Sequence, residues 1–279
     1  MSVGAGASWR LLPSGRPVHI RALMTDMLAE SFRVYGRDGG GPFVLVSDHA
    51  GQGIPPSLGD LGLSAAERAR HIGWDIGIDG VGRMLADALP AVLVEQVYSR
   101  LVIDCNRAPG HPTSIVAQSD GTPVPRNQDL SAADVAWREQ AILHPYHRRI
   151  TQELDARLAQ GRSVAVVALH SFTPVMRNKA RPWHVGLLHN HDPRLAHIMI
   201  DLLQAHGLVV GDNEPYALTD TSDYTVPLHG EQRALPHIEI EIRQDLIAHP
   251  DGQAEWAALL ARLLPKAWQI FCTRYAQQP

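Results

Sequence analysis

Two histidines each stand at the end of a short apolar run: His49 after Val44-Leu45-Val46, and His170 after Val164-Ala165-Val166-Val167. Neutral imidazoles brought together with one carboxylate and an open coordination position make a hydrolytic zinc site. Asp75, in Gly73-Trp74-Asp75-Ile76-Gly77, is the third ligand this reading favours, with Asp48 and Asp79 weaker candidates. The chain holds 15 histidines, so the bland reading stands beside it: hydrogen-bonded loop histidines and a helix-capping aspartate. A water activated at such a metal needs a carboxylate to take its proton, and Glu241 is the candidate general base. It lies in His237-Ile238-Glu239-Ile240-Glu241-Ile242-Arg243, whose strict alternation puts three isoleucines on one strand face and Glu239, Glu241 and Arg243 on the other. The glutamates then either line a site or pair with Arg243 in solvent.

The substrate end of the chemistry is sought in Tyr98-Ser99-Arg100-Leu101-Val102-Ile103-Asp104-Cys105-Asn106-Arg107. An apolar run ending in Asp-x-Asn-Arg suggests a strand end, where open α/β sheets bind ligands, and Arg100 and Arg107 could grip a carboxylate there. The competing reading pairs Arg107 with Asp104 to tie down a loop. Asn213, Tyr216, Tyr224 and His229 precede the last strand and are candidates to line a pocket.

The elements that would position these residues form an α/β pattern. Strands are expected over 42–47, 91–97, 101–104, 163–169, 185–188 and 237–243, each a short apolar run bounded by turn residues. Ser64 and Glu67 have capping-box spacing. Helices are expected over 76–89, stopped by Pro90, and over 131–158, kinked or divided by Pro145. Another opens at Asp192-Pro193 and closes at Gly207, and a last one covers 254–275 with a break at Pro265. Residues 108–128 read as a long loop, a length that is often functional.

The 279 residues, 45% hydrophobic and 19% charged, suffice for one domain with a full core, behind a poorly patterned leader of about 40 residues. A net charge of −4 with scattered Lys and Arg argues against nucleic acid, and the absence of a long apolar stretch argues against a membrane span. Cys105 and Cys272 are too few for a disulfide framework, which fits a cytoplasmic protein with a small-molecule substrate. The sequence carries no sign of an oligomeric state.

In order along residues 43–247, the segments Asp48-His49-Ala50-Gly51, His71-Ile72-Gly73-Trp74-Asp75-Ile76-Gly77, Ser99 through Arg107, His170-Ser171-Phe172, Asn213-Glu214-Pro215-Tyr216 and Ile240-Glu241-Ile242-Arg243 resemble the N-formylglutamate amidohydrolase family. The resemblance implies a single-domain mixed sheet flanked by helices, similar to zinc carboxypeptidases and aspartoacylases. It also implies hydrolysis of an N-acyl amide on an acidic amino acid. An Asn-Arg pair binds the substrate carboxylate in those relatives, matching Asn106 and Arg107 here. Their usual His-x-x-Glu metal motif is absent, since Gln52 stands three residues after His49, and the carboxylate ligand moves to Asp75 by inference. Two alternatives remain open at this stage: an amidase or peptidase acting on another N-acyl amino acid or a cell-wall peptide, and a non-catalytic binder of an acidic metabolite.

Overall fold

Seven strands make the main sheet of the computed structural model, which describes residues 31–36 and 40–275. They are β1 (Phe32–Tyr35), β2 (Phe43–Ser47), β3 (Val92–Gln96), β4 (Ala165–Phe172), β5 (Val185–Leu188), β6 (Val210–Asp212) and β7 (His237–Arg243), in the spatial order β1-β3-β2-β4-β7-β5-β6. Strands β3, β2, β4 and β7 run parallel, while β1 and β5 pair antiparallel with β3 and β7. The sheet is therefore mixed, as expected. Most of the unpatterned leader lies outside the described residues, yet Phe32–Tyr35 pairs with β3, a strand the sequence pattern did not announce. The three-residue β6 was missed as well, being too short to show a period.

Alternation along the strands divides the core. Phe43, Leu45, Val167, Leu169 and the three isoleucines of β7 face α1 (Ile78–Ala88), α4 (Arg194–Gln204) and α6 (Pro250–Tyr275). Val44, Val46, Val166 and Ala168 face the other way, toward α2 (Ala132–Arg138), α3 (His144–Ala159) and the short α5 (Thr225–His229). Burying each isoleucine stabilises by roughly 1.5–3 kcal/mol, which offsets the cost of holding Glu239 and Glu241 on the opposite face, only 2% and 6% exposed.

Several expected boundaries hold. Ser64 and Glu67 form the capping box of a one-turn helix, Ala65–Arg68. Pro145, which has no N–H to donate, sits in the first turn of α3, and the turn Glu139–Leu143 before it widens to a π-helix joining α2 to α3. Pro265 does not break α6, which runs unbroken because Leu260, Leu263, Leu264, Ala267 and Phe271 on both sides of it are buried against the same core.

The largest correction concerns Leu101–Asp104, which is no strand. Val102 N–H donates to Ser99 O and Arg107 N–H to Asp104 O, so the segment is a pair of turns. Leu101, Val102 and Ile103 are almost fully buried between the sheet and the α2–α3 layer, which explains the misreading: an apolar run reports burial, whereas a strand also needs a partner. Asn127 and the buried Arg138 hold the turn by donating to Leu101 O and Val102 O.

Candidate active site and metal centre

The chain leaves β2 toward β3 on one side and returns from β3 to β4 on the other, so the C-terminal ends of β2 and β4 flank a topological switch point, the usual ligand crevice of such sheets. His49 lies just past the end of β2, His170 near the end of β4, and Glu241 beside His170 in register on β7. Asp75 comes from the loop before α1. Its N–H donates to His49 O, and its carboxylate accepts the Ser171 N–H, so the loop is tied to both histidine-bearing segments. Gly77, at φ +82°, turns that loop into α1, and a Cβ there would lie 2.0 Å from Ile247 O.

His49, Asp75 and His170 converge, all buried, with possible ligand atoms within 4.8 Å of one another. The His170 Nδ1 is 3.0 Å and the His49 Nδ1 3.6 Å from the same Asp75 oxygen. Ligands at about 2.0–2.1 Å from a tetrahedral metal stand roughly 3.4 Å apart, so these spacings suit one ion. The His49 Nδ1 is buried without a hydrogen-bond partner, an orphan atom that a metal would satisfy. The outer nitrogens face carboxylates: His49 Nε2 lies 2.7 Å from Asp104, and His170 Nε2 3.3 Å from Asp48. That arrangement orients metal-binding imidazoles. Three buried acids held in the charged form, Asp48, Asp75 and Asp104, surround the two histidines, and Arg100 pairs with the last two, a local balance that favours a bound cation. The donor set and the orphan nitrogen thus fit a divalent metal.

Burial alone would raise the Asp104 pKa, but Arg100 and His49 outweigh it and hold the carboxyl well below the usual range. Burial likewise opposes ionisation of Asp48, and the His170 contact wins, bringing Asp48 down to about 2. For Glu241 burial wins over the attraction of His170, pushing it up to about 7. Its Oε2 has no hydrogen-bond partner.

His49, Asp75, His170, Asp104, Glu239 and Glu241 line one cleft of about 640 Å³, with Arg107, Tyr216, Asp223 and Arg177 around its wall. Gly186 stands opposite Glu241 on β5 and leaves room for the 214–215 backbone, since a Cβ would lie 1.9 Å from Glu214 O. The expected Arg107–Asp104 pair does not form. Arg100 makes that contact, at 2.7 Å, with Asp75 3.6 Å away. Arg107 instead donates to Asn106 O and lies 3.8 Å from Asp223. The Asn106 amide is engaged by the facing loop: it donates to Asp223 and accepts the N–H groups of Tyr224 and Thr225.

Other candidates fall elsewhere. Asp79 approaches Arg83 on α1, outside the cleft. Asn213 accepts the His189 N–H, Tyr224 packs on His147, and His229 hydrogen-bonds His147 behind the site, so of those four only Tyr216 lines the cleft. Arg243, two residues beyond Glu241 on β7, pairs with Asp245 rather than with the glutamates. Asp104, read from the sequence only as the acid of a polar cluster, turns out to face His49. Its role depends on His49, 55 residues away, and its one sequence signal is the acid within Asp-x-Asn-Arg.

The His147–His229 pair carries a pH prediction. Burial, then the neighbouring His147, lowers His229 to about 3, against an ordinary imidazole value near 6.5. Above pH 6.5 neither folded nor unfolded chain binds the proton, and no penalty arises. Between 6.5 and 3 the unfolded chain binds it and the folded chain does not, so stability falls as pH falls, by about 3 kcal/mol at pH 4.5. Urea unfolding at pH 7 and 4.5 should show this loss, and His229→Gln should flatten it. An unchanged slope in the variant would sink the assignment.

Comparison with known proteins follows the same lines. A family model described as N-formylglutamate amidohydrolase matches residues 41–248. A solved gene product from Agrobacterium tumefaciens is 38% identical, covering 87% of this chain and 96% of its own, with a TM-score of 0.84. The N-formylglutamate amidohydrolase from Ralstonia eutropha is 21% identical over 86% of this chain and 97% of its own, and its TM-score of 0.61 shows a shared fold. No curated protein matches.

Proposed function

The chain belongs to the N-formylglutamate amidohydrolase family, and from that premise we propose that it hydrolyses the amide of an N-formylated acidic amino acid, N-formyl-L-glutamate first among them, to formate and the free amino acid. The observation that carries this reading is one cleft holding a buried, unpartnered Glu241 carboxyl beside His49, Asp75 and His170, with Arg107 on its wall.

His49, Asp75 and His170 would hold a divalent metal, zinc by the chemistry of two imidazoles and a carboxylate. Bound there, it would polarise the scissile carbonyl and acidify a water. Glu241 takes the proton from the attacking water as the C–O bond forms, then delivers it to the amide nitrogen as the C–N bond breaks. A buried carboxyl with no hydrogen-bond partner on its Oε2 is free to carry the proton through both halves of that exchange. Arg107 orients the substrate's carboxylate by charge-assisted hydrogen bonds. Asn106 fixes the loop beside Arg107, and Arg100, the third residue on the substrate side, holds Asp104 at the cleft wall. The reading places the protein in the cytoplasm, where Cys105 and Cys272 stay as free thiols. None of the described helices is long and apolar enough to cross a membrane.

Metal content measured together with formate release from N-formyl-L-glutamate tests site and substrate at once. Turnover with bound metal supports the reading. No metal and no hydrolysis in added Zn²⁺ would make the protein a binder of acidic metabolites, and turnover confined to other N-acyl amino acids would replace the substrate. Arg107→Ala should raise KM for N-formyl-L-glutamate by about 10- to 100-fold, the effect of losing a charged hydrogen bond worth about 1.5–3 kcal/mol, with a smaller change in kcat. An unchanged KM would remove Arg107 from the substrate.

A further inference from the structure

We propose that His189, Asp212 and His197 form a second site for a divalent first-row metal, zinc first, separate from the catalytic cleft. The three come from different elements that meet at one place. His189 directly follows β5, Asp212 ends the parallel neighbour β6, and His197 lies in the first turns of α4. Their possible ligand atoms lie within 4.8 Å of one another. One Asp212 oxygen is 2.7 Å from His189 Nε2, the other 3.7 Å from His197 Nε2, and the imidazole rings stand nearly perpendicular, at 84°.

One distance is a hydrogen bond to the first Asp212 oxygen and the other reaches the second oxygen, against the roughly 3.4 Å expected between ligands of one tetrahedral zinc, so small side-chain rotations are needed to seat an ion. The His197 and Asp212 side chains are 56% and 55% exposed, so rotation about their own bonds closes the difference without moving the backbone. His189 is the fixed member: its side chain is 12% exposed, and its N–H is held by Asn213 Oδ1 at 2.9 Å. Two imidazoles and one carboxylate with open positions select zinc, copper or nickel over magnesium or calcium, which prefer all-oxygen sites.

The site stands at the root of segment 213–223, and Tyr216, Ala217, Ser222 and Asp223 from that segment line the catalytic cleft. The far end of the segment is already held, through Asn106 to Tyr224 and Thr225. A metal on His189, Asp212 and His197 would clamp the near end by joining β5, β6 and α4. Its role is to steady a cleft wall, and it takes no part in the reaction.

The test titrates metal-free protein with ZnCl₂ by calorimetry and counts bound zinc after desalting, in the wild type, His197→Ala, Asp212→Asn and His49→Ala. His197→Ala and Asp212→Asn alter exposed side chains, and circular dichroism checks their fold. Each should bind one equivalent fewer than wild type, and zinc should slow hydrogen exchange in 213–223 of the wild type but not of His197→Ala. An equal zinc count in wild type and both variants overturns the proposal. A loss in His197→Ala without a loss in His49→Ala would keep this site and overturn the catalytic metal, so the two readings fail separately.

Discussion

Glu241→Gln lowers kcat for N-formyl-L-glutamate by about 10²–10⁴-fold, the range contributed by a positioned general acid–base group, while zinc content stays at the wild-type level. The substitution is nearly isosteric and replaces a carboxyl whose Oε2 has no hydrogen-bond partner, so the strand has little reason to move. Register supports the specificity of the effect: Glu241 is level with His170 on the adjacent parallel strand and faces the cleft, whereas Ile240 and Ile242 face the helical layer. Single-turnover kinetics with metal analysis separate the two quantities. A variant within tenfold of wild type would take the proton transfer away from Glu241.

His170→Ala should abolish catalytic-site zinc and turnover together, without rescue by added Zn²⁺, because the ring supplies one of three converging donors. Asp48→Asn gives the graded counterpart. Asp48 faces His170 Nε2 at 3.3 Å and accepts the Thr225 hydroxyl at 2.8 Å, so it orients the imidazole and adds charge behind it. Losing such a partner weakens metal binding by about 10- to 100-fold, and activity should return as zinc is raised. Competition against a chelating dye gives the affinities. If Asp48→Asn behaves as His170→Ala does, Asp48 is itself a ligand, and if it binds zinc as tightly as wild type, it does not orient the ring.

What could be read from the chain divides along physical lines. Strands β2, β4 and β7 announce themselves because each is an apolar or alternating run whose burial needs no distant partner to explain it. His49, His170 and Glu241 were legible because they stand at the ends or on the polar face of those runs. Leu101–Asp104 was misread since hydropathy cannot distinguish a buried turn from a buried strand. That Arg100 rather than Arg107 meets Asp104 was hidden for a related reason: the turn's geometry decides it, and both spacings are short enough to pair. Asp104 and Asp48 as supports of the histidines could not be found in the chain, because the contacts that define them span 55 and 122 residues. Pro265 shows the converse, a strong local signal overridden by packing on both sides.

The alternation of β7 makes this strand a safeguard against misassembly. A slip of one residue against β4 would turn Ile238, Ile240 and Ile242 into the cleft and drive Glu239 and Glu241 into the helix-facing core. No partly working product of that error exists, because the same slip removes the base and exposes the apolar face. Insertions or deletions in the turn at 231–236 that feeds the strand should therefore be far less tolerated than substitutions there, and what is lost will be the folded protein, not merely its rate.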